Sequence, residues 1–300
     1  MTTATRERAA TKDRAAKERK PGTEGPVSVG VALVFLTLMA GYFLMPVYWL
    51  LVNATKSQRD LVTTNGFAFA EVQLGQNLAD LFARDDGVFG RWALNSLLYA
   101  GLGAAVGTIL AAMAGYGIAK YEFRGRELLF GFALGGVLVP ATALALPLFL
   151  MFAGVGLTNT YWAVFLPSIV SPFGVYLSRV YAAASVPDEL LDAGRVDGAS
   201  ELRIFFTVSI RLMAPALVTV FLFQFVAIWN NFLLPLIMLQ DTSLYPLTYG
   251  LYTWASLVSR DPSLQVLAIV GSLVSVIPLI ITFVTLQRFW RSGLAAGSVK

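Results

Sequence analysis

Residues 27–52 read VSVGVALVFLTLMAGYFLMPVYWLLV, a run without a charged side chain. About 20 apolar residues in a helix cross the hydrocarbon core of a bilayer. The run is too long for the apolar core of a signal peptide, and no small-residue cleavage site follows it. It therefore predicts a first transmembrane helix.

Five further apolar stretches reach spanning length. They cover residues 92–118, 128–152, 159–181, 212–239 and 264–287. Prolines within them remove backbone donors and predict bends, and small-xxx-small glycine spacing predicts close helix contacts. These residues are Pro140, Pro147, Pro235 and Pro278, and the pairs Gly103/Gly107 and Gly131/Gly135. The sequence thus predicts an all-α polytopic membrane protein with six transmembrane helices, in which residues 27–300 follow a polar tail.

The composition excludes most kinds of soluble protein and of active site. Hydrophobic residues make up 57% of the chain and charged residues 13%, with a mean hydropathy of +0.68. A soluble chain carries about a quarter charged residues. The chain has no Cys and no His, which excludes disulfides, thiolate nucleophiles, cysteine-bound metals and an imidazole base.

The charges predict an orientation for the chain. The first 26 residues are basic and polar, which predicts a disordered tail. Other Lys and Arg residues cluster after the second span, between the fourth and fifth spans, and at the C-terminus. By the positive-inside rule both termini are cytoplasmic. Every Asp, Glu, Lys and Arg lies at the ends of these spans or between them, which weakens an ion-coupled transporter and leaves a neutral-solute facilitator open.

A polar cluster lies in the fifth span. It consists of Gln224, Trp229, Asn230 and Asn231. Carboxamides in hydrocarbon need partners, which are either neighbouring helices or a polar solute. Aromatic faces stack on sugar rings, so these four residues are the candidate solute contacts.

Two loops are predicted to be external. Residues 53–91 form either a structured cap that docks a partner or a passive connector. Residues 240–263 carry Tyr245, Tyr249, Tyr252 and Trp254, which form either an interfacial aromatic belt or a partner contact.

The loop 183–211 contains SVPDELLDAGRVDGASELRIFF at residues 185–206. Ser185 predicts a helix cap, Gly194 a helix end, and Asp197-Gly198 a turn. A second helix capped by Ser200 is expected to share one apolar face. Its members are Leu202, Phe205, Phe206, Ser209 and Ile210. Such a helix pair either seats in a groove of a cytoplasmic partner or rests on the bilayer surface.

The loop resembles the signature loop of bacterial binding-protein-dependent ABC importer permeases, E-A-A-x-x-x-G-A followed by an apolar stretch and a proline. The matching residues are Asp192-Ala193-Gly194, Asp197-Gly198-Ala199, Phe205 and Pro215. Further similar segments are Asn95-Ser96-Leu97, Tyr121 to Arg126, Asn159-Thr160-Tyr161-Trp162, and Gln287 to Lys300. Together they are similar to the second permease of maltose-type importers, in the carbohydrate branch. Asp192 and Gly194 replace the motif's glutamate and second alanine, and Arg211 stands where proline is usual.

The resemblance implies a type I ABC importer permease in the bacterial cytoplasmic membrane. Its loop would couple to a partner ATPase through Glu189, Asp192, Ala193, Gly194, Asp197, Gly198, Ala199 and Phe205. Tyr249, Tyr252 and Trp254 would contact an extracytoplasmic solute-binding protein. The other implied partners are a second, homologous permease, an ATP-binding cassette ATPase dimer, a sugar and the lipid bilayer. No nucleic acid is expected among the partners.

The chain itself is expected to be non-catalytic and to bind no cofactor. It contains no Gly-x-x-x-x-Gly-Lys-Ser/Thr loop, so ATP and Mg²⁺ would be held by the partner ATPase. Two alternatives stay open. Another solute, such as glycerol phosphate, would favour cationic groups on the path, which the partner permease could supply. A polytopic membrane enzyme would need clustered acids, bases or metal ligands at one membrane face, whereas the charges here are scattered or lie in the loop.

Overall fold

The computed structural model describes residues 26–297, and every regular element in that range is helical. The predicted all-α fold is therefore confirmed. The predicted tail, residues 1–26, lies outside the described residues except for Pro26.

The described residues divide into two units, with the boundary between Trp49 and Leu50. The described part of the first unit is helix α1, Pro26–Ala54, whose last turn belongs to the second unit. This helix coincides with the predicted span 27–52 and continues through Pro46. Its side chains from residue 28 to residue 49 are exposed, as expected of a helix that lipid solvates.

The second unit continues with a series of helices separated by short turns. They are α2 Gln58–Thr63, α3 Leu74–Ala83, α4 Val88–Leu97, α5 Gly103–Lys120, α6 Arg126–Leu138, α7 Ala141–Gly154, α8 Tyr161–Ser168, α9 Pro172–Ser185, α10 Asp188–Val196, α11 Glu201–Ile204, α12 Ile210–Leu212, α13 Ala214–Trp229, α14 Leu233–Met238, α15 Leu247–Leu257 and α16 Ser263–Gly297. A π-helical turn at Leu98–Leu102 joins α4 to α5, and another at Phe205–Ser209 joins α11 to α12.

Four helical stretches in the described residues are long and apolar enough to cross a membrane. They are Ser28–Ala54, Leu74–Lys120, Tyr161–Ser185 and Ser263–Phe289. The number becomes six if each of two bent helix pairs is one span. The pairs are α6 with α7, bent by 105°, and the α11–α12 segment with α13, bent by 84°.

The predicted stretch 128–152 is bent near Pro140, as expected, and forms α6 and α7 instead of one straight helix. The proline ring disfavours a helical conformation at the preceding residue, and Val139 adopts an extended backbone with ψ 119°. Pro140 also provides no N–H for the carbonyl of Gly136. The predicted span 212–239 is likewise interrupted at residues 230–232, between α13 and α14. By contrast, Pro147 and Pro278 lie inside continuous helices.

Helices α5, α9 and α13 pack closely through small residues. A Cβ on Gly115 would lie 2.6 Å from the backbone nitrogen of Arg179, and one on Gly103 would lie 3.0 Å from Ile228 Cδ1. The predicted close contact at Gly103 and Gly107 is therefore present. At Gly131 and Gly135 a Cβ would meet no described atom within 4 Å. The α5–α9–α13 bundle is the frame that holds the sites below.

Candidate functional site

The loop predicted to dock a partner folds as two short helices, α10 and α11. Helix α10 begins at Asp188, with Asp188 and Glu189 in its first turn, where they complement the helix dipole as expected. Ser185 was predicted to cap this helix, and that prediction is wrong. Ser185 is the last residue of α9, and Pro187 occupies the cap position without a side-chain hydrogen bond.

Gly194 does not end α10 as predicted but lies within it. The helix ends at the predicted turn, where Gly198 has φ +75°. The amides of Gly198 and Ala199 donate to the carbonyls of Arg195 and Gly194, each at 3.0 Å, which is a Schellman ending. A Cβ on Gly194 would lie 3.0 Å from Ile204 Cγ1. Because Gly194 has no side chain, α10 and α11 can pack closely at this point.

Ser200 caps α11 as predicted, since its side chain accepts a hydrogen bond from the amide of Arg203. The predicted apolar face is wrong, because the π-helical turn after Ile204 changes the spacing of side chains. Leu202 and Phe206 are exposed, whereas Ile204 and Phe205 are buried. Ile204 is a buried residue that the predicted face did not include.

A buried cluster fixes α10 and α11 to the transmembrane frame. Phe205 packs against Tyr116 of α5, with their ring centroids 5.2 Å apart. Leu191 and Ile204 join the same cluster. Phe205 was predicted to contact the ATPase, but it is only 3% exposed. Its position corrects that prediction: Phe205 anchors the loop.

Charged and polar side chains tie the loop to the end of α5. Arg195 binds Asp192 at 2.8 Å and Glu201 at 2.7 Å, and the hydroxyl of Tyr121 donates to Glu201 at 2.5 Å. The hydrogen bonds from Arg195 and Tyr121 both lower the pKa of Glu201, and the bond from Arg195 has the larger effect. A separate ion pair joins Lys120 to Asp188 at 2.9 Å. In the sequence Tyr121 is notable only as part of a family-like segment, and these links are visible only in the structure.

The surface of the loop carries most of the residues predicted to couple to an ATPase. Exposed members are Glu189, Asp192, Ala193, Asp197 and Gly198, and half-buried members are Gly194 and Ala199. Leu190, Val196, Leu202 and Phe206 are exposed apolar side chains beside them. We call residues 188–206 the docking knob. Exposed apolar side chains clustered among polar ones are typical of a protein-binding surface.

A second candidate site is a cavity of about 400 Å³ among the helices. Three interrupted helices contribute to its wall, at residues 136–148, 167–172 and 231–234. Asn231 lines the cavity as a predicted solute contact would. The other three candidates, Gln224, Trp229 and Asn230, do not line it.

Gln224 has a structural partner. Its Nε2 donates to the carbonyl of Ser168 at 2.9 Å. That carbonyl has no intrahelical donor, because the residue four positions later is Pro172. Gln224 is 7% exposed, and its Oε1 has no hydrogen-bond partner among the described residues. The carboxamide of Gln224 therefore satisfies a backbone carbonyl at the break between α8 and α9.

Trp229 and Asn230 also have local roles. Trp229 is buried and stacks on Phe225, with centroids 5.7 Å apart. Asn230 is exposed, and its Nδ2 donates to the carbonyl of Val226 at 2.9 Å. Of the four predicted solute contacts, the structure places Asn231 alone at the cavity.

Comparison with known proteins adds to this geometry. Residues 105–293 match the family model described as "Binding-protein-dependent transport system inner membrane component". The chain is 35% identical over 269 residues to the arabinooligosaccharides transport system permease protein AraQ of Bacillus subtilis (strain 168), covering 89% of this chain and 94% of AraQ. It belongs to the family of binding-protein-dependent inner membrane permeases.

Two other similarities agree. The lactose transport system permease protein LacG of Rhizobium radiobacter is 31% identical, over 88% of this chain and 94% of LacG. The crystal structure of a bacterial ABC transporter involved in the import of the acidic polysaccharide alginate has a chain with the same fold. It superposes with a TM-score of 0.76 at 21% identity, over 88% of this permease and 96% of that chain.

The permease is therefore a multi-pass component of the bacterial inner membrane and one part of a binding-protein-dependent ABC transport system. It is the non-catalytic membrane component. Its family binds no cofactor of its own, and a partner subunit is the ATPase. The alternative of a polytopic membrane enzyme is thereby excluded.

At the end of the permease with the predicted external loops, an aromatic cluster is buried. Tyr249 and Trp254 were predicted to contact a binding protein, but they are 8% and 5% exposed. Trp254 packs on Trp92 at 4.7 Å and Tyr249 on Tyr245 at 4.1 Å, between centroids. These two residues form core in this conformation, and Tyr252 is the exposed member of the predicted set.

Two asparagines of the family segments hold the loop after α14. Asn95 Nδ2 donates to the carbonyls of Ser243 and Tyr245, at 2.8 and 3.0 Å. Asn159, with φ +57°, accepts from the amides of Gln240 and Asp241, at 2.9 and 2.8 Å. The sequence indicates no role for either asparagine, because the loop that both of them bind is brought to them only by the fold.

Proposed function

We propose that this permease serves an importer of a sugar or oligosaccharide. The named relatives, AraQ and LacG, are permeases for arabino-oligosaccharides and for lactose. The cavity among the helices has no Asp, Glu, Lys or Arg in its wall, which suits a neutral solute better than an anion such as glycerol phosphate.

The main support for the proposed transport mechanism is the structure of the docking knob. Its exposed surface holds Asp192, Asp197 and Gly198, while Phe205 fixes its base against α5. In our proposal the knob seats in the ATPase, and closure of the ATPase dimer moves it as a rigid body. Because the base is buried, that movement reaches α5 and α9 and shifts the permease between two conformations.

The proposed assembly follows from that mechanism. A second, homologous permease pairs with this chain, an ATPase dimer holds ATP and Mg²⁺, and an extracytoplasmic binding protein delivers the sugar. The knob and both termini face the cytoplasm, in agreement with the distribution of Lys and Arg. Tyr252 and the loop 53–91 lie on the external side, available to the binding protein.

The test is ATPase activity of the reconstituted complex with a panel of binding proteins. Each is loaded with an arabino-oligosaccharide, lactose or glycerol phosphate. We expect one sugar-loaded protein to stimulate ATP hydrolysis. Replacing Gly198 with valine strains its left-handed backbone, at roughly 1–2 kcal/mol, and should abolish stimulation. Gly117→Val is the control, because a Cβ there meets no described atom within 4 Å.

Two results would overturn parts of the proposal. Stimulation only by glycerol phosphate would remove the sugar assignment. A Gly198→Val complex that is stimulated like the Gly117→Val control would remove the docking knob from the coupling mechanism.

A further inference from the structure

Three helix breaks meet at the 400 Å³ cavity. They lie at residues 139–140 between α6 and α7, at 169–171 between α8 and α9, and at 230–232 between α13 and α14. Irregular backbone at membrane depth is tolerated only where it is buried in protein or lines a polar cavity. Convergence of three such breaks on one space therefore indicates a cavity built to receive polar groups.

The breaks supply hydrogen-bonding capacity to the cavity wall. Gly136 lies in the wall, and its carbonyl has no amide partner four residues later because residue 140 is proline. The corresponding carbonyl of Ser168 at the second break is already bound by Gln224. A free acceptor is thus expected at the first break but not at the second.

Asn231 supplies a donor at the third break. Its Oδ1 accepts from the amide of Leu234 at 3.3 Å, which leaves the Nδ2 group without an acceptor among the described residues. Its neighbour Asn230 does not line the cavity, and the Nδ2 of Asn230 is bound to Val226. Of the two adjacent carboxamides, only that of Asn231 offers an unused donor to the cavity.

The rest of the wall is uncharged and mostly apolar, with proline and aliphatic side chains beside the polar groups. Small-molecule sites share this design, and their volumes run from roughly 300 to 1,000 Å³. An uncharged wall matches a neutral ligand. Donors and acceptors beside apolar faces match a ring that carries both hydroxyls and C–H groups.

We propose that this cavity is a solute site within this permease itself, where Asn231 donates a hydrogen bond to a hydroxyl of a neutral sugar unit. The inference rests on the sugar import proposed above. It makes Asn231 a solute contact and the backbone at Gly136 its acceptor counterpart. It also assigns to this subunit a direct share in binding the solute.

The test uses the complete complex in liposomes, with the sugar that stimulates its ATPase most. Two quantities are measured: the rate of sugar uptake at saturating loaded binding protein, and the sugar transported per ATP hydrolysed. Asn231→Leu is compared with Asn230→Leu. A second pair of variants tests whether a bulky side chain blocks the cavity. Ala141→Trp, in the cavity wall, is compared with Ala143→Trp, which is exposed on the same helix outside the wall.

We expect Asn231→Leu to slow uptake about tenfold, as the loss of one hydrogen bond to a desolvated hydroxyl implies. Stimulated ATP hydrolysis should persist, so the sugar transported per ATP should fall. Asn231→Ser, which keeps a donor and an acceptor, should retain much of the uptake. Ala141→Trp should block uptake, and both control variants should behave like the unmodified complex.

The outcomes separate this inference from the function on which it rests. If the unmodified complex takes up no sugar, sugar import and the solute site both fail. If it takes up sugar and Asn231→Leu and Ala141→Trp match their controls, import stands and the solute site is wrong. A parallel loss of uptake, ATP hydrolysis and assembly would mean that Asn231 is structural, which also overturns the inference.

Discussion

Gln224 should act as a structural residue, and a glycine that packs against its side chain provides a way to test this. Gly107 of α5 faces the carboxamide: a Cβ on Gly107 would lie 2.7 Å from Gln224 Cδ and 2.8 Å from its Oε1. Gly107→Ala must therefore displace Gln224, whose Nε2 binds the Ser168 carbonyl at 2.9 Å. A methyl group at one residue should break a hydrogen bond between two others.

The magnitudes follow from these contacts. Overpacking a close interface costs about 1–3 kcal/mol. Loss of an interhelical hydrogen bond in a membrane protein averages about 0.6 kcal/mol, and a buried carbonyl left without a donor costs about 1–3 kcal/mol. Gly107→Ala and Gln224→Ala should each destabilise the permease within this range. In the double variant the methyl group fills space that the amide has vacated, so the overpacking cost should disappear.

The assay is thermal unfolding of the purified complex for the two single variants and the double variant. We expect the double variant to be no less stable than Gln224→Ala, which makes the two effects strongly non-additive. Gly131→Ala is the matched control, since a Cβ at Gly131 would meet no described atom within 4 Å. Additive losses, or a Gly107→Ala complex as stable as the control, would refute the contact. A change in sugar preference without loss of stability would restore Gln224 as a solute contact.

Three further variants test the docking knob and the aromatic cluster. Because Arg195 lowers the pKa of Glu201, the ion pair stabilises the knob above the ordinary value of 4.5 and is lost only as the pH falls through the lowered pKa. The contribution of this ion pair to stimulated ATPase activity should thus persist in mild acid, and Glu201→Gln should lower that activity at neutral pH. Phe205→Ala removes a buried ring, at about 3–5 kcal/mol, and should reduce co-purification of the ATPase subunit. Gly250→Ala places a Cβ 2.6 Å from Trp92 Cζ3 and should lower the unfolding temperature.

The sequence predicts the membrane spans because the thickness of the bilayer sets the length of an apolar run. It does not predict the direction of the chain within a run. Hydropathy over 128–152 is the same for a straight helix and for two helices at 105°. The signal that was available is Pro140, which predicted a bend of unknown size. The angle depends on what packs in the corner, and that is a property of the whole fold.

The role of a single residue is hard to predict from the sequence where a contact with another helix determines that role. Gly194 was read as a helix end, since glycine is common there, but its lack of a side chain admits Ile204. For Gln224 the sequence left open a solute contact or an interhelical hydrogen bond, and the structure shows the interhelical bond, to a carbonyl far along the chain. A sequence signal for that partner existed in Pro172, which leaves the Ser168 carbonyl without an amide. A proline can thus indicate where a buried carboxamide from another helix is needed.

The family motif contains both buried residues at the base of the knob and exposed residues at its tip. Phe205 belongs to the motif and is buried against Tyr116, whereas Asp197 and Gly198 of the same motif are exposed at the tip. Force applied to the tip reaches α5 only if the base does not yield. Phe205 and the tip residues should therefore fail differently: a base variant loosens the knob and weakens its binding to the ATPase. A tip variant such as Gly198→Val should keep the base intact and lose stimulation alone, which co-purification measured beside ATPase activity will distinguish.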